Sequence, residues 1–204
     1  MQTSTPLEYG HYYHIYNRGN NRENIFFEER NYHYFLKLYT KYIVPVADTY
    51  AYCLMRNHFH FLVRIKSVEE LETAEVSETS AVLLPKPNLQ FGHFLNSYAK
   101  AINKAYQRTG SLFQRRFGRL LVDSDHYFMH LVTYIHQNPQ KHGFVSDFRT
   151  YPYSSYSAIR HQKKSQVKIG DVLAWFSGLD SFHRFHQTPA NEKEIEHLLV
   201  DDFF

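Results

Sequence analysis

At 204 residues, with 43% hydrophobic and 17% aromatic side chains, the chain can bury a sizeable core and fits one domain with room for an appendage. No apolar run approaches membrane-spanning length, the first ten residues lack the basic and apolar regions of a signal peptide, and the single Cys53 excludes an internal disulfide, which together suit a reducing cytoplasm. The net charge of +3 conceals an uneven distribution: residues 67–80 hold five Glu and 192–202 hold five acids against Lys193, so the remainder has 22 basic residues against 10 acidic, a net +12 suited to a polyanion.

Tyr12 to Asn17 reads as a first strand, closed by the turn Arg18-Gly19-Asn20-Asn21-Arg22, whose two cations could hold phosphate. From Glu28, Tyr32, Phe35, Leu36, Tyr39 and Ile43 recur at helical spacing until Pro45 stops the pattern. Strands are expected at about 47–56 and 59–66. Residues 67–90, acidic and ending Pro85-Lys86-Pro87, read as a mobile insertion in which 68–76 could form a short helix. An amphipathic helix follows from about Leu89 to Arg108, buried through Phe91, Phe94, Leu95, Tyr98, Ile102 and Tyr106, with Lys100, Lys104 and Arg108 as a basic stripe and Gly110 as its C-cap. Leu120-Leu121-Val122 suggests a fourth strand, and Asp123, Ser124 and Asp125 supply cap chemistry for a helix over about 125–137, ahead of Pro139. Beyond Gly143 a loop at 151–156 enters a short helix, two small helices are expected within 171–186, and Pro189 onward reads as an acidic helix or tail.

The fold class this order predicts is α+β: a ferredoxin-like split β-α-β with an antiparallel sheet (strand, helix, strand, strand, helix, strand), then one more helix and a C-terminal helical extension. Residues 1–160 are assigned to the main domain and 161–204 to an extension packed on it.

Chemistry concentrates in two places. In Asn57-His58-Phe59-His60 the two histidines are two apart on a strand and share one face, forming half a metal site. With 14 histidines in the chain, such a pair is weak alone, and a polar edge-strand face would explain it as well. In Thr133-Tyr134-Ile135-His136-Gln137-Asn138-Pro139, Tyr134 and Asn138 are one helical turn apart. A tyrosine can act as a covalent nucleophile if a cation or general base assists its phenol, and a metal between the histidines could polarise a phosphate. Tyr98 and Tyr127 are rival tyrosines, and His136 and His142 are more ordinary helix-end histidines. For polyanion contacts the candidates are Arg18, Arg22, Lys100, Lys104, Arg108, Arg115, Arg116 and Arg119, with Arg115 and Arg116 beside Phe113 and Phe117 pairing cation with ring.

These residues resemble a known family. His58-Phe59-His60 matches the HUH signature, and Tyr134-Ile135-x-x-Asn138-Pro139 followed by Lys141-His142-Gly143-Phe144-Val145 resembles the tyrosine helix of REP-associated tyrosine transposases, a branch of the HUH single-tyrosine transposases. The opening Tyr-His-Ile-Tyr-Asn-Arg-Gly, Gly110-Ser-Leu-Phe-Gln-Arg-Arg-Phe and Tyr153-Ser-Ser-Tyr156 extend the similarity over about residues 10–160. Two motifs in order, about 75 residues apart, are far more specific than either alone.

The resemblance implies a metal-dependent single-strand DNA endonuclease and strand transferase that cleaves beside DNA hairpins through a 5′-phosphotyrosine at Tyr134. Its metal ligands would be His58, His60 and Asn138, where many relatives have Gln, one methylene longer. Mg²⁺ or Mn²⁺ is the implied metal, whereas two imidazoles and an amide oxygen would also suit Zn²⁺ or Ni²⁺. Mn²⁺ should support activity at least as well as Mg²⁺, and activity should fall below about pH 6, where imidazoles protonate. The implied partner is hairpin-bearing single-stranded DNA, bound by a monomer or homodimer. The competing expectations are a non-catalytic or domesticated nucleic-acid-binding protein of the same fold, and a metallohydrolase using water, which would leave no covalent adduct.

Overall fold

The computed structural model describes residues 6–74, 84–114, 116–190 and 193. Its elements run β1 (Tyr12–Arg18), α1 (Glu29–Tyr42), β2 (Ala47–Met55), β3 (His58–Ile65), α2 (Val68–Ala74), α3 (Pro87–Ala105), β4 (Gly118–Val122), α4 (Asp125–Lys141), α5 (Tyr156–Arg160), α6 (Ile169–Trp175) and α7 (Leu179–Phe185). The four strands form one sheet in the order β2-β3-β1-β4, antiparallel at every pairing. This is the α+β, ferredoxin-like arrangement read from the element order.

Alternation along the central strands divides the interior into two layers. Tyr13, Ile15, Phe59, Phe61 and Val63 face α1 and α3, meeting Phe35, Tyr39, Phe91, Phe94 and Tyr98. Leu62, together with Ala51, Cys53 and Met55 of β2, faces Phe128, Leu131, Val132 and Ile135 of α4. The helices start where cap chemistry allows: Asn31 Oδ1 accepts from the backbone N–H groups of Phe27 and Glu28 at the head of α1, and Ser124 Oγ accepts from Tyr127 N–H at the head of α4.

Two helix ends differ from expectation. Helix α3 ends at Ala105 rather than near Arg108, because Gln107 turns left-handed (φ 50°) and the Asn103 amide donates to Gly110 O; Gly110 therefore serves the following turn and is not the C-cap. Helix α4 runs through Pro139 instead of stopping before it: a proline in the last turn forfeits a single backbone bond, and His142 N–H closes the helix on Asn138 O. In the acidic insertion, 68–74 is helical and anchored by buried Leu71 and by Glu70, which pairs with Arg64; residues 75–83 lie outside the described set.

The C-terminal helices close the sheet's outer edge. Segments 153–155 and 167–168 hydrogen-bond to β2, and Val172, Phe176 and Phe182 enter the α4-side core. A buried polar chain ties them to α4. The Phe182 carbonyl can only accept, so His186 Nδ1–H donates to it (2.8 Å); His186 Nε2 then accepts from His136 Nδ1–H (2.9 Å), and His136 Nε2 accepts from the Ser155 hydroxyl (2.7 Å). The acidic tail expected from Pro189 onward falls almost wholly outside the described residues.

Burial pushes the His136 imidazole well below its usual range, with neighbouring His186 adding to the effect. Burial likewise lowers His186 to about 4, against the Phe182 carbonyl, which raises it, and with His183 lowering it further. Because both histidines resist protonation in the fold, the unfolded chain takes up more protons as pH falls below about 6.5, and stability falls with it towards pH 4. Thermal melts from pH 7.5 to 5 should show a falling Tm, and the double variant His136→Leu/His186→Leu should show a shallower fall.

Candidate active site

Strand register builds the site. Along β1 and β3, Arg18 pairs with His58, Tyr16 with His60 and His14 with Leu62, so all six side chains share the face over which α4 lies. His58 and His60 meet edge to face with ring centroids 5.3 Å apart, and Phe59 between them points into the opposite layer. Strand β3 is central rather than an edge, and both histidines are only 3% exposed, so a solvated polar face does not describe them. His58 Nδ1 lies 2.6 Å from Asn57 Oδ1, which can only accept, so His58 donates there; His60 Nδ1 lies 2.9 Å from His14 Nε2.

Helix α4 packs across β2 and β3 and brings Tyr134 to this pair. The Tyr134 ring stands edge-on to His60 at 5.9 Å between centroids, and the Lys141 ammonium sits 5.1 Å from the centre of the phenol ring. One turn on, Asn138 Nδ2 donates to Tyr134 O, while Asn138 Oδ1 is buried without a hydrogen-bond partner. His142, at the end of α4, stacks edge-on against His58 at 5.0 Å. Tyr134 also lines a cavity of about 460 Å³ that runs past Gln137 and Lys141 to residues 186–190.

A divalent metal fits the chemistry of these donors. Asn57 and His14 occupy the Nδ1 sides of His58 and His60, His58 Nε2 and His60 Nε2 are both buried, and the Asn138 amide oxygen is a buried acceptor awaiting a positive partner. Among the described residues, no group of three or more His, Cys, Asp or Glu side chains is placed to hold a metal, so an amide ligand such as Asn138 would be needed to complete a protein triad.

The cations do not share one face of the sheet. Arg18 ends β1 directly across from His58, while Arg22, in a turn where it and Asn21 are both left-handed, and exposed Arg116, also left-handed, lie on the loops that flank β1 and β4. Lys100 and Lys104 are exposed on α3, on the far side of the sheet from the histidines. Arg108 is engaged by Glu23 at 2.6 Å and lies over Phe27. Arg119, opposite Ile15, also points away from the histidines; it bonds to Asn88 and covers Phe117, and burial, with Arg116 nearby, lowers its pKa. Arg115 lies outside the described residues. Of the rival tyrosines, Tyr98 is buried in the opposite layer with its hydroxyl on Ile25 O, and Tyr127 lies two turns before Tyr134 near the start of α4.

Three residues of this neighbourhood were not singled out from sequence: His14, Asn57 and Tyr16. The period-2 run His14, Tyr16, Arg18 was visible, but which strand it faced was not. Tyr16 lies 6.2 Å from His60 between ring centroids and sits across Gly118, where a Cβ would collide with its ring.

Fold and site together define an α+β protein that sets two metal-competent imidazoles against a tyrosine. No family model matches the chain. It is 30% identical over 111 residues to the "Putative REP-associated tyrosine transposase" of Haemophilus influenzae, a match that takes in 53% of this chain and 58% of that relative's length. A solved REP-associated tyrosine transposase bound to a REP hairpin superposes with a TM-score of 0.58, at 16% identity, over 84% of this chain and 93% of that one, which shows the shared fold. Both comparisons therefore lead to the REP-associated tyrosine transposases that the motifs resemble.

Gly118→Ala should cost about 1–3 kcal/mol in urea denaturation, the usual penalty of overpacking, because the Tyr16 ring must move. Tyr16→Ala in the same chain should return part of that loss, and additive effects would show that the two do not touch.

Proposed function

We propose that the chain is a REP-associated tyrosine transposase that cleaves and rejoins single-stranded DNA beside hairpins through a covalent bond to Tyr134. The observation that carries this reading is the meeting of Tyr134 with His60 at 5.9 Å, from segments far apart in sequence. In the reaction, the Tyr134 oxygen attacks the scissile phosphorus and gives up its proton, a bond forms between them, and the bond to the 3′-oxygen breaks. One fragment stays on the enzyme as a 5′-phosphotyrosine, and the other departs with a 3′-hydroxyl once its oxygen takes a proton. Attack by a different 3′-hydroxyl on the phosphotyrosine reverses these bonds and joins strands without ATP.

The chain's own groups have definable tasks. Lys141 over the phenol ring favours negative charge as it develops on the attacking oxygen. Asn138, hydrogen-bonded to Tyr134 O, ties the candidate third ligand to the backbone of the nucleophile. His58, His60 and Asn138 would hold Mg²⁺ or Mn²⁺, which when bound supplies Lewis-acid polarisation of the phosphate. Arg18, which ends β1 across from His58, would receive a flanking phosphate, with Arg22 and Arg116 on the loops beside β1 and β4 as further candidates, whereas Lys100, Lys104 and Arg119 lie on the other side.

Incubation of a labelled single-stranded hairpin DNA with the protein and Mn²⁺ should give a protein–DNA adduct that survives denaturation. Tyr134→Phe should give none while still binding the DNA. Cleavage that persists in Tyr134→Phe would point to water as the nucleophile, and binding without cleavage under Mg²⁺ and Mn²⁺ would point to a non-catalytic nucleic-acid-binding protein of this fold.

A further inference from the structure

The geometry points to His14 as a positioning residue that holds His60 in the tautomer able to bind a metal. The inference rests on the metal-dependent reading above and extends it to a residue on a neighbouring strand. An imidazole that offers Nε2 to a metal must carry its proton on Nδ1, and that proton needs an acceptor when the ring is buried. His60 is 3% exposed, and its Nδ1 lies 2.9 Å from Nε2 of His14, itself 1% exposed.

Two neutral rings can share that contact in only two ways. His60 donates and keeps Nε2 available, or His14 donates and moves the His60 proton to Nε2, which closes the ring to metal. A metal at His60 therefore selects the first arrangement, with His14 as acceptor. The strand pairing explains how His14 comes to serve: it faces Leu62 directly and reaches diagonally to His60, with the Tyr16 ring 5.1 Å from its own and packed against both rings. Asn57 does the corresponding work for His58 from the adjacent position, and its amide oxygen fixes the direction of that bond outright. One ligand is thus oriented by an amide and the other by an imidazole, and only the second depends on which ring carries the proton.

The test is Mn²⁺ affinity, measured by calorimetry on the full chain without DNA. His14→Leu should weaken Mn²⁺ binding roughly 10- to 100-fold, as loss of an outer partner of a ligating histidine does. His14→Gln, which can present an acceptor oxygen near the place of Nε2, should stay near wild type, and metal-free binding of hairpin DNA should be unchanged in both. Wild-type affinity in His14→Leu would overturn the inference, as would a loss in His14→Gln equal to that in His14→Leu, which would make His14 a ligand or a packing residue. Should either variant fail to fold, long-range ¹⁵N NMR of the Mg²⁺-loaded wild type decides: a proton on His60 Nδ1 is expected, and one on Nε2 overturns the inference. Failure of the underlying reading looks different, since His60→Ala would then bind Mn²⁺ as tightly as wild type.

Discussion

The register between β1 and β3 is the constraint on which the site depends. A shift of one residue would turn His58 and His60 into the layer of Phe35 and Phe94 and would bring Phe59 under α4, because side chains alternate with period two. The register is held from both layers at once. Phe59, Phe61 and Val63 pack on α1 and α3, while Leu62 packs under α4, so no slipped pairing satisfies both. On the α4 side the buried imidazoles are satisfied at Nδ1 by their neighbours, His58 by Asn57 and His60 by His14.

The second constraint is the seat of α4. Apolar contacts of Phe128, Leu131 and Val132 hold its first half, and the chain from His136 through His186 to the Phe182 carbonyl holds its second half against the C-terminal helices. Gln137 adds to this clasp, donating to the carbonyls of His186 and Thr188 and accepting from Ala190 N–H. Tyr134 projects from between these two anchorages. The C-terminal extension is therefore part of what positions the proposed nucleophile, whatever further role residues beyond 190 have.

Much of this was legible in the sequence because it is written in local periodicity. The order of elements, the inward faces of α1 and α3, the Ser124 cap and the one-turn spacing of Tyr134 and Asn138 depend on residues near one another in the chain. What could not be read depends on contacts between distant segments. His14 lies 46 positions from His60, and only strand pairing makes them partners. The basic stripe of α3 holds for Lys100 and Lys104 but not for Arg108, which lies past the helix end and pairs with Glu23, and spacing does not say on which side of the sheet a helix lies. Local chemistry also misled at Gly110 and Pro139, where a side-chain amide and the last turn of a helix changed the expected boundary.

Tyr16 provides a sharp internal control, because its ring centroid is nearly as close to His60 as that of Tyr134, at 6.2 Å against 5.9 Å. Tandem mass spectrometry of a nuclease-trimmed protein–DNA adduct identifies the side chain that carries the nucleotide. The account expects the added mass on Tyr134. Its appearance on Tyr16, Tyr127 or any other residue would contradict the account.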